Sequence, residues 1–377
     1  MNFDEIKDME ARYYAGTFSR LPVAIVEGKG MYLYDEKGWK FLDMFAGIAV
    51  NSLGHSHPDV LEIIKEQSEK LIHISNWYYT IPQLELAKTL TEITGLGKAF
   101  ITNSGTESVE TAIKLARRAT GKKEIIAMEH AFHGRTMGAL SLTWGEKYRK
   151  PFMPLVPGVK FSPYNDVNAV KKEMTEDTAA VIVEPILGES GVIIPDENYL
   201  KELRQITEER NVLLIIDEIQ TGFGRTGKMF AFQHSDIEPD IICLAKGLGG
   251  GFPVGATLFK GIDFEPGEHG GTFIGNPLAC AVAKQVIEVI QRENLVENSR
   301  KIGSYIVNNL EEMGDEVRGK GLMIGIDVDD GRKQVLNLIK KRILTIYSGN
   351  TLRVLPPLII EKTHADQFLE TWKSIRM

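Results

Sequence analysis

The fold follows from one stretch, Asp240-Ile241-Ile242-Cys243-Leu244-Ala245-Lys246-Gly247-Leu248-Gly249-Gly250-Gly251, in which an apolar run leads a single lysine into a glycine-rich turn. Ile, Ile, Cys and Leu in succession predict a strand that is covered on both faces. A lysine at the inner end of such a strand either reaches solvent past the small residues that follow it, or has a partner or a covalent task. This stretch alone leaves both interpretations of Lys246 open.

Length and composition predict a globular protein with more than one domain. The chain has 377 residues, of which 43% are hydrophobic and 25% charged, and its formal net charge is −7. It is too long for one ordinary domain and long enough for two cores. Phosphate binding requires a concentrated basic face, so the negative charge argues against a general nucleic-acid or anionic-membrane surface. Small molecules are therefore the predicted partners.

The compartment is predicted from the amino terminus and the cysteines. The first ten residues are charged, and no apolar run reaches transmembrane length, so we expect neither a secretory signal nor a membrane span. Cys243 and Cys280 lack CxxC spacing, which argues against a disulfide framework and a zinc site. His55 and His57 lack a nearby third ligand and are interpreted as turn and capping residues, so no metal is predicted. We expect a cytoplasmic protein.

The order of predicted elements indicates an α/β fold. Short strands before residue 50 predict a small antiparallel ribbon, at 23–26, 31–34 and 39–43. From about residue 98, strands and helices alternate, with strands at 99–101, 124–128, 179–183, 212–216 and 241–244 and helices over 106–120 and 197–210. This alternation predicts a mostly parallel sheet with helices on both faces, and ligands at the carboxyl ends of its strands.

After a long helix at about 277–293 the pattern changes to that of a smaller α+β domain. Its predicted elements are helices near 295–314 and 331–341, a strand at 322–328, short strands within 343–358 and a final helix. We therefore predict an amino-terminal segment (1–50) that packs with the small domain, a large ligand-binding domain (51–282) and a carboxyl-terminal small domain (283–377).

Three features converge at the ends of the predicted strands. The turn Asn103-Ser104-Gly105-Thr106-Glu107 runs into a helix, whose free amides suit a phosphate, although an ordinary helix cap is the alternative. Asp217 ends an apolar strand and needs a cation, for which a protonated ring nitrogen would serve. Lys246 follows 29 residues later. Together they describe a pyridoxal phosphate site, in which the lysine condenses with the cofactor aldehyde and the acid keeps the ring nitrogen protonated.

A glycine-rich turn at 222–228 (Gly-Phe-Gly-Arg-Thr-Gly-Lys) matches GxGxxG and most of a Walker loop. A dinucleotide-binding turn follows its strand immediately and opens a helix, but five residues intervene here and residues 229–232 do not predict a helix start. Met229 also stands where a Walker loop needs Ser or Thr for magnesium. This context argues against a dehydrogenase or a nucleotidase.

Several further motifs carry a resemblance to a known family. They are 47–55 (Gly-Ile-Ala-Val-Asn-Ser-Leu-Gly-His), 103–107, 132–136 (Phe-His-Gly-Arg-Thr), 184–189 (Glu-Pro-Ile-Leu-Gly-Glu), 217–222 (Asp-Glu-Ile-Gln-Thr-Gly), 245–247 (Ala-Lys-Gly) and 275–279 (Gly-Asn-Pro-Leu-Ala). From about residue 18 to 357 the chain resembles the class III (ω-amino acid) pyridoxal phosphate aminotransferases, most closely those that act on N-acetylornithine. The resemblance implies fold-type I: a large domain with a mostly parallel sheet of the seven-stranded type and a smaller α+β domain.

The resemblance implies a role for each motif residue. Lys246 and Asp217 would be the catalytic residues, with Lys246 bound to the cofactor and moving the substrate proton. Gln220 would approach the phenolic oxygen of the ring, and Phe132 would stack on its face. The implied cofactor-binding residues are Ser104, Gly105, Thr106, Phe132, His133, Asp217, Gln220, Lys246 and Thr272, the last from the partner subunit of a homodimer.

Three charged residues are implied in substrate binding. Arg135 and Arg353 would bind substrate carboxylates as planar forks. Glu189 would pair with Arg353 in one half-reaction and release it in the other. The alternatives are a turn cap for Arg135, a surface strand position for Arg353 and a loop position for Glu189. Leu187 and Ile274 depart from the family pattern, and we expect them to make the neighbourhood of the site more apolar, with Ile274 near the entrance or the phosphate loop.

The implied reaction transfers the terminal amino group of N-acetylornithine, or of a close relative, to 2-oxoglutarate in a ping-pong cycle that belongs to arginine biosynthesis. Alternative donors are ornithine, 4-aminobutyrate and a carrier-protein-linked aminoadipate semialdehyde. An aminomutase is the alternative from another reaction class, since it shares the fold and the lysine. A nucleotide-binding module based on residues 222–228 is the non-enzymatic alternative.

Overall fold

A computed structural model describes residues 1–376. The amino-terminal segment contains one helix and a three-stranded antiparallel ribbon: α1 (Phe3–Tyr13), β1 (Ile25–Lys29), β2 (Tyr32–Asp35) and β3 (Lys40–Asp43). The ribbon was predicted, but α1 was not. Helix α1 begins at a capping box, in which the Asn2 side chain accepts a hydrogen bond from the Glu5 amide and the Glu5 side chain accepts one from the Asn2 amide.

The large domain alternates strands and helices, as the sequence predicts. Its first elements are α2 (Ala46–Ala49), α3 (Pro58–Lys70), α4 (Ile81–Thr94), β4 (Lys98–Thr102), α5 (Gly105–Thr120), β5 (Glu124–Met128), α6 (Met137–Leu142), α7 (Glu146–Arg149), β6 (Val159–Ser162) and α8 (Val167–Glu173). They are followed by β7 (Thr178–Val183), α9 (Tyr199–Glu209), β8 (Leu213–Asp217), β9 (Ile241–Leu244), β10 (Gly255–Phe259) and α10 (Pro277–Arg292). Short 3₁₀ helices span Lys150–Phe152, Ala231–His234 and Lys246–Leu248.

The central sheet has seven strands in the order β4-β10-β9-β8-β7-β5-β6. Strand β10 is antiparallel to both of its neighbours, and the other pairs in the sheet are parallel. Every residue of β7 and β9 is buried, as expected for strands covered by helices on both faces. The prediction of a mostly parallel seven-stranded sheet is confirmed, while β6 and β10 are strands that the sequence analysis did not predict.

The direction of the strands determines where the functional residues meet. Strands β4, β8 and β9 run in the same direction, so their carboxyl ends lie at one edge of the sheet. Residues 103–107 follow β4, Asp217 ends β8, and Lys246 follows β9 after one residue. The three features that the sequence singles out therefore share that edge.

The small domain is an α+β unit. It contains α11 (Leu295–Glu312), β11 (Val317–Lys320), β12 (Met323–Asp327), α12 (Gly331–Lys340), β13 (Ile343–Leu344), β14 (Ile346–Ser348), β15 (Thr351–Val354) and α13 (Lys362–Ile375). Four strands form the antiparallel small-domain sheet, in the order β11-β12-β15-β14. Strand β13 instead pairs in parallel with β3, so the amino-terminal ribbon and the small domain share a second four-stranded sheet. The domain limits at residues 50 and 282 stay predictions.

The chain makes a left-handed turn at α2, between β3 and α3. The four residues of α2 have positive φ angles, from 50° at Ala46 to 68° at Ile48, which is a costly conformation for a β-branched residue. Asp43 supports the turn, because its Oδ1 accepts hydrogen bonds from the amides of Phe45 at 2.9 Å and Ala46 at 2.8 Å. The other oxygen of Asp43 lies 2.6 Å from His55 Nε2.

Residues 1–376 contain no group of three His, Cys, Asp or Glu side chains arranged for a metal ion.

The glycine-rich stretch 222–228 connects the two domains. It forms successive turns, and the next element is a short 3₁₀ helix rather than an α-helix. Arg225 is 2% exposed and its Nη1 donates to the carbonyl oxygens of Leu322 at 3.1 Å and Pro356 at 2.5 Å. A turn held by these contacts is not a nucleotide-binding loop.

No helix within residues 1–376 has both the length and the apolarity needed to cross a bilayer.

Candidate active site

A cavity of about 460 Å³ opens at the carboxyl edge of the central sheet. Most of the predicted site residues line it: Ser104, Gly105, Thr106, Phe132, His133, Arg135, Glu189, Asp217, Gln220 and Lys246. Arg353 lies behind this lining, and Thr272 lies elsewhere. The cavity size is within the range of pockets that hold small molecules and cofactors.

One end of the cavity is the amino terminus of α5. Ser104 caps the helix, with its Oγ accepting from the Glu107 amide at 3.4 Å. The amides of Gly105 and Thr106 have no hydrogen-bond acceptor within the described chain, and they add to the positive end of the helix dipole. A Cβ on Gly134 would lie 2.4 Å from Thr106 Oγ1, so glycine is required for this loop to approach the helix. The arrangement suits a phosphate group.

Asp217 lies opposite, at the end of β8. Its Oδ2 lies 2.7 Å from His133 Nδ1, and its Oδ1 accepts from the Ile219 amide at 3.0 Å. The side chain is 4% exposed, and His133 is 2% exposed. Both oxygens are therefore fixed in direction, and His133, which also lines the cavity, contacts Asp217 directly.

Glu184 is a buried site residue to which the sequence analysis gave no role. It follows β7 directly, as a strand-end carboxylate like Asp217, and this position was the available signal. Its oxygens accept from the amides of Phe132 at 2.8 Å and Gly188 at 3.1 Å. Burial raises the pKa of Glu184 to about 7, against the opposing effect of His133. Glu184 thus fixes the backbone of the loops that carry Phe132 and Glu189.

Lys246 reaches the cavity floor from a strained backbone position. Its φ is 41°, in the left-handed region, which is uncommon for a residue with a side chain. Burial lowers the pKa of Lys246, although the nearby carboxylate of Glu189 opposes the shift. The amine makes no hydrogen bond or ion pair with the rest of residues 1–376. A lysine in such surroundings is suited to covalent chemistry and proton transfer.

Arg353 and Glu189 form an ion pair beside the cavity. Arg353 Nη1 donates to Glu189 Oε1 at 3.0 Å, and Nη2 donates to Gln220 Oε1 at 3.0 Å. Arg353 is 0% exposed, so it is not a surface strand residue. Burial alone would raise the pKa of Glu189, but the positive charges of Arg353 and Lys246 outweigh it and hold this pKa below its ordinary value. The carboxylate thus stays charged and covers Arg353.

Arg135 lies at the open side of the cavity and is exposed. Its guanidinium carbon lies 4.3 Å from the centre of the Tyr148 ring and 5.4 Å from that of Phe132. Glu110, which the sequence analysis missed, supports this loop: its Oε1 accepts from Thr136 Oγ1 at 2.6 Å and from the Gly138 amide at 2.8 Å. The guanidinium is therefore oriented while its donors stay available to a ligand.

Besides Arg353, three residues discussed from the sequence do not line this cavity. Thr272 and Ile274 line a second cavity of about 1090 Å³, so Ile274 does not narrow the entrance of the site within its own chain. Leu187 is 1% exposed and packs in the main hydrophobic core. Its amide and carbonyl both pair with Ile193 at 3.0 Å, which turns the side chain away from the cavity. The expectation that Leu187 makes the site more apolar is therefore wrong.

Glu218, next to Asp217, leads to a prediction about pH. It is fully buried, and burial raises its pKa from 4.5 to about 7. The folded protein keeps this proton at pH values at which the unfolded chain has lost it, so raising the pH from 4.5 to 7 lowers the free energy of unfolding. The expected loss from this group is roughly 3 kcal/mol. We expect E218Q to flatten the fall in melting temperature between pH 5 and pH 8.

The matched control for this experiment is E311Q, because Glu311 is exposed. It should keep the pH dependence of the unchanged protein. Glu184 contributes in the same direction as Glu218, so E218Q reduces the dependence without removing it. Equal slopes for E218Q and the unchanged protein would contradict the prediction.

Comparisons with known proteins identify the family of the chain. The family profile described as aminotransferase class-III matches residues 13–375. An acetylornithine aminotransferase from Methanopyrus kandleri is 50% identical over 377 residues, covering 97% of this chain and 97% of the relative. An acetylornithine aminotransferase from Archaeoglobus fulgidus is 48% identical, covering 96% of this chain and 98% of the relative.

Solved structures give the same result for the fold. The ornithine aminotransferase of Toxoplasma gondii ME49 superposes with a TM-score of 0.95 at 30% identity, covering 100% of this chain and 96% of that chain. The acetylornithine aminotransferase of Elizabethkingia anophelis gives a TM-score of 0.91 at 35% identity, covering 100% and 99%. Since the family profile and relatives close to 50% identity span nearly the whole chain, this protein belongs to the class-III aminotransferases.

Proposed function

We propose that this aminotransferase uses pyridoxal 5'-phosphate to move the terminal amino group of N-acetylornithine to 2-oxoglutarate in a ping-pong cycle. The observation that carries the proposal is that one cavity contains Lys246, Asp217 and the free amides that begin α5. The relatives named as acetylornithine aminotransferases, at 43–50% identity, support the choice of donor.

The residues present fit the cofactor. The amides of Gly105 and Thr106 would hold its phosphate, and Asp217 would pair with the ring nitrogen at the other end of the cavity. Phe132 would cover the ring and Gln220 would lie near its oxygen. A Cβ on Gly105 would lie 2.8 Å from Ile219 Cδ1, so a bare backbone is needed where the helix begins. When bound, the cofactor supplies an aldehyde and an electron-withdrawing ring.

The protein residues supply orientation and proton transfer. Lys246 is the only amine among the residues that line the described cavity, and its lowered pKa favours the neutral form that accepts a proton at Nζ. His133 holds Asp217 in direction through the contact at 2.7 Å. Burial of both groups excludes water from this side of the site, which strengthens their electrostatic effect.

Two arginines account for two different substrates in one cavity. Arg135 would bind the carboxylate of N-acetylornithine while Glu189 covers Arg353, as it does in this structure. When 2-oxoglutarate binds, Glu189 would move aside so that both arginines bind its two carboxylates. The buried Arg353 guanidinium is held by Gln220 and Ser348 as well, so it stays in place when the carboxylate leaves.

The absorption spectrum of the purified protein tests the proposal. We expect visible absorption that borohydride removes, and a spectral change on adding N-acetylornithine that 2-oxoglutarate reverses. A protein without such absorption would contradict the cofactor assignment. Conversion of a donor without any keto acid would indicate the aminomutase instead, and tight ATP binding by a colourless protein would indicate a nucleotide-binding module.

Ornithine is the second candidate donor. The T. gondii ornithine aminotransferase shares this fold with a TM-score of 0.95 and the E. anophelis acetylornithine enzyme with 0.91, so the fold is compatible with either donor. The sequence comparison favours N-acetylornithine, and identity near 50% is the stronger guide to a substrate. We expect a higher kcat/KM with N-acetylornithine than with ornithine, 4-aminobutyrate or a carrier-linked semialdehyde in a panel of donors. The reverse order would reassign the donor.

We also propose a homodimer. Large apolar side chains are exposed together: Trp77 at 91%, Tyr79 at 95% and Phe273 at 64%. They share one surface, because Phe273 lies 5.1 Å from the His73 ring and Asn76 Nδ2 donates to the Ile274 carbonyl at 2.9 Å. An exposed apolar surface of this kind marks a protein interface. Thr272 lies on it, so it would reach the cavity of the partner subunit.

Mixed dimers test this role of Thr272. We expect T272D to be inactive, because the added charge would repel the cofactor phosphate. A mixed dimer of one T272D chain and one K246A chain would have one intact site, with Lys246 from the first chain and Thr272 from the second. Mixed dimers make up about half of a statistical mixture, so about one site in four should be active. If the mixture stays inactive while remaining dimeric, Thr272 does not act across the interface.

We infer a cytoplasmic location from the two free buried cysteines, Cys243 and Cys280, which fit a reducing compartment. An activity assay on separated cell fractions tests it, and activity in a secreted fraction would contradict it.

A further inference from the structure

We propose that Arg318 is a positioning residue that fixes the backbone of the Glu189 loop (residues 188–192) on the small-domain sheet, so that Glu189 leaves and returns to Arg353 by rotation of its side chain alone. This inference rests on the proposed function, because only an enzyme that alternates between two carboxylate-bearing substrates needs Glu189 to leave and return. Arg318 lies on β11 and does not line the cavity.

Arg318 donates directly to the backbone of the loop. Its Nε lies 3.0 Å from the Gly191 carbonyl oxygen and 2.9 Å from that of Val192. Its Nη2 donates to the Gly191 carbonyl at 2.6 Å. Two consecutive carbonyls, two and three residues after Glu189, are thus bound by one guanidinium.

The small domain in turn fixes the guanidinium. Asp327 binds it through both carboxylate oxygens, at 2.6 Å from Nη1 and 3.0 Å from Nη2. Thr351 Oγ1 accepts from Nη2 at 3.1 Å and donates to Asp327 at 2.8 Å. Because the guanidinium is planar, two partners on the sheet and two carbonyls on the loop determine its orientation completely.

The backbone of the loop also packs closely against the small-domain sheet. A Cβ on Gly325 would lie 2.9 Å from the Gly191 carbonyl oxygen, and a Cβ on Gly191 would lie 2.7 Å from Thr351 Oγ1. Gly191 has a φ of +98°, which favours glycine as well. The loop therefore lies flat on β12 and β15, although its sequence position is in the large domain.

Strand register places the two arginines in one row. Arg318 is opposite Gly325, and Gly325 is opposite Arg353, so the three residues point to the same face of the sheet. The loop lies over this row and is bound at both ends. Arg353 binds the loop through the Glu189 side chain, which can rotate away while the backbone stays in place. Arg318 binds the loop through backbone carbonyls, which can separate from Arg318 only if the loop itself moves.

Without Arg318 we expect the Glu189 loop to become mobile and Arg353 to be covered only part of the time. The reaction with N-acetylornithine needs Arg353 covered, whereas the reaction with glutamate needs it free. Displacement of a positioning group typically costs tenfold to a hundredfold in rate. In R318Q we therefore expect kcat/KM for the N-acetylornithine half-reaction to fall by about tenfold or more, and that for the glutamate half-reaction to change by less than about threefold.

Hydrogen–deuterium exchange provides a readout that does not depend on activity. We expect exchange in the peptide covering 187–193 to rise about tenfold in R318Q, with no change in β8. T351V, which removes one of the hydrogen bonds to Arg318, should shift both measurements less and in the same direction. R318K keeps the charge without the planar fork, so it should lie between R318Q and the unchanged protein. R300Q is the control, because within residues 1–376 the Arg300 guanidinium pairs only with Glu297, on the surface.

Unchanged exchange in the loop would overturn the proposal, and so would equal losses in both half-reactions. If R318Q does not fold, T351V and R318K decide by the same two measurements. If the unchanged protein reacts with no ω-amine donor, the proposed function fails, and the exchange experiment alone decides whether Arg318 fixes the loop.

Discussion

Replacing Lys246 with alanine is expected to lower the rate of transamination by roughly 10⁴-fold or more, because the proposed covalent partner of the cofactor and the proposed proton-transfer group are lost together. Lys246 is the only amine among the residues lining the described cavity, so no neighbouring residue there can take its place. The measurement is kcat with N-acetylornithine and 2-oxoglutarate, using protein that has been saturated with pyridoxal phosphate.

The control for this substitution is K228A. Lys228 is exposed at the end of the glycine-rich turn 222–228, and the proposed mechanism gives it no role. We expect K228A to keep normal rates and K246A to keep a normal melting temperature without cofactor. Activity close to normal in K246A would remove the basis of the assignment, and a large loss in K228A would revive the nucleotide-loop interpretation.

Replacing Asp217 with asparagine is expected to lower kcat by roughly 10²–10³-fold. Asparagine has the same shape and can still accept from the Ile219 amide, but it lacks the negative charge that, in the proposed function, keeps the ring nitrogen protonated. An unprotonated ring withdraws electrons poorly, so proton removal from the substrate slows. The cofactor should also be lost more readily during gel filtration, because the charge contributes to its binding.

The comparison for D217N is D263N, at an exposed aspartate that pairs with Lys98 on the surface. Both variants remove one negative charge, and only D217N removes it from the cavity. Rates in D217N within a factor of two or three of normal would show that the carboxylate does not control the ring. A loss of the same size in D263N would show a general effect of charge.

The sequence identified Lys246, Asp217 and the 103–107 turn because each is a local signal, with polar residues at or just after the end of an apolar strand. The sheet then brings them together automatically, since parallel strands put their carboxyl ends at one edge. Glu184, directly after the apolar strand β7, has the same local signal. Its role became visible only from the two backbone amides that it binds.

Strand β10 shows what local patterns miss. Its five residues, Gly-Ala-Thr-Leu-Phe, follow a glycine-rich turn and have no alternation that separates a strand from a loop. It forms a strand because β4 and β9 supply hydrogen-bond partners on both sides, and those partners are far away in sequence. Helix α1 was also not predicted, although Phe3, Ile6, Met9 and Tyr13 have helical spacing; none of its residues is buried.

The direction of side chains in irregular segments also required the structure. Leu187 was expected near the substrate, but its pairing with Ile193 turns it into the core. A shift of one residue in such a pairing reverses the face to which a side chain points. The sequence by itself determined the family and the mostly parallel sheet, because these depend on local patterns and on motifs in register, and the same motifs named the residues that we propose carry the chemistry. Only the tertiary structure decided that Arg318 and Arg353 bind one loop from one row of the small-domain sheet, because that row is made by strand pairing between residues distant in the chain.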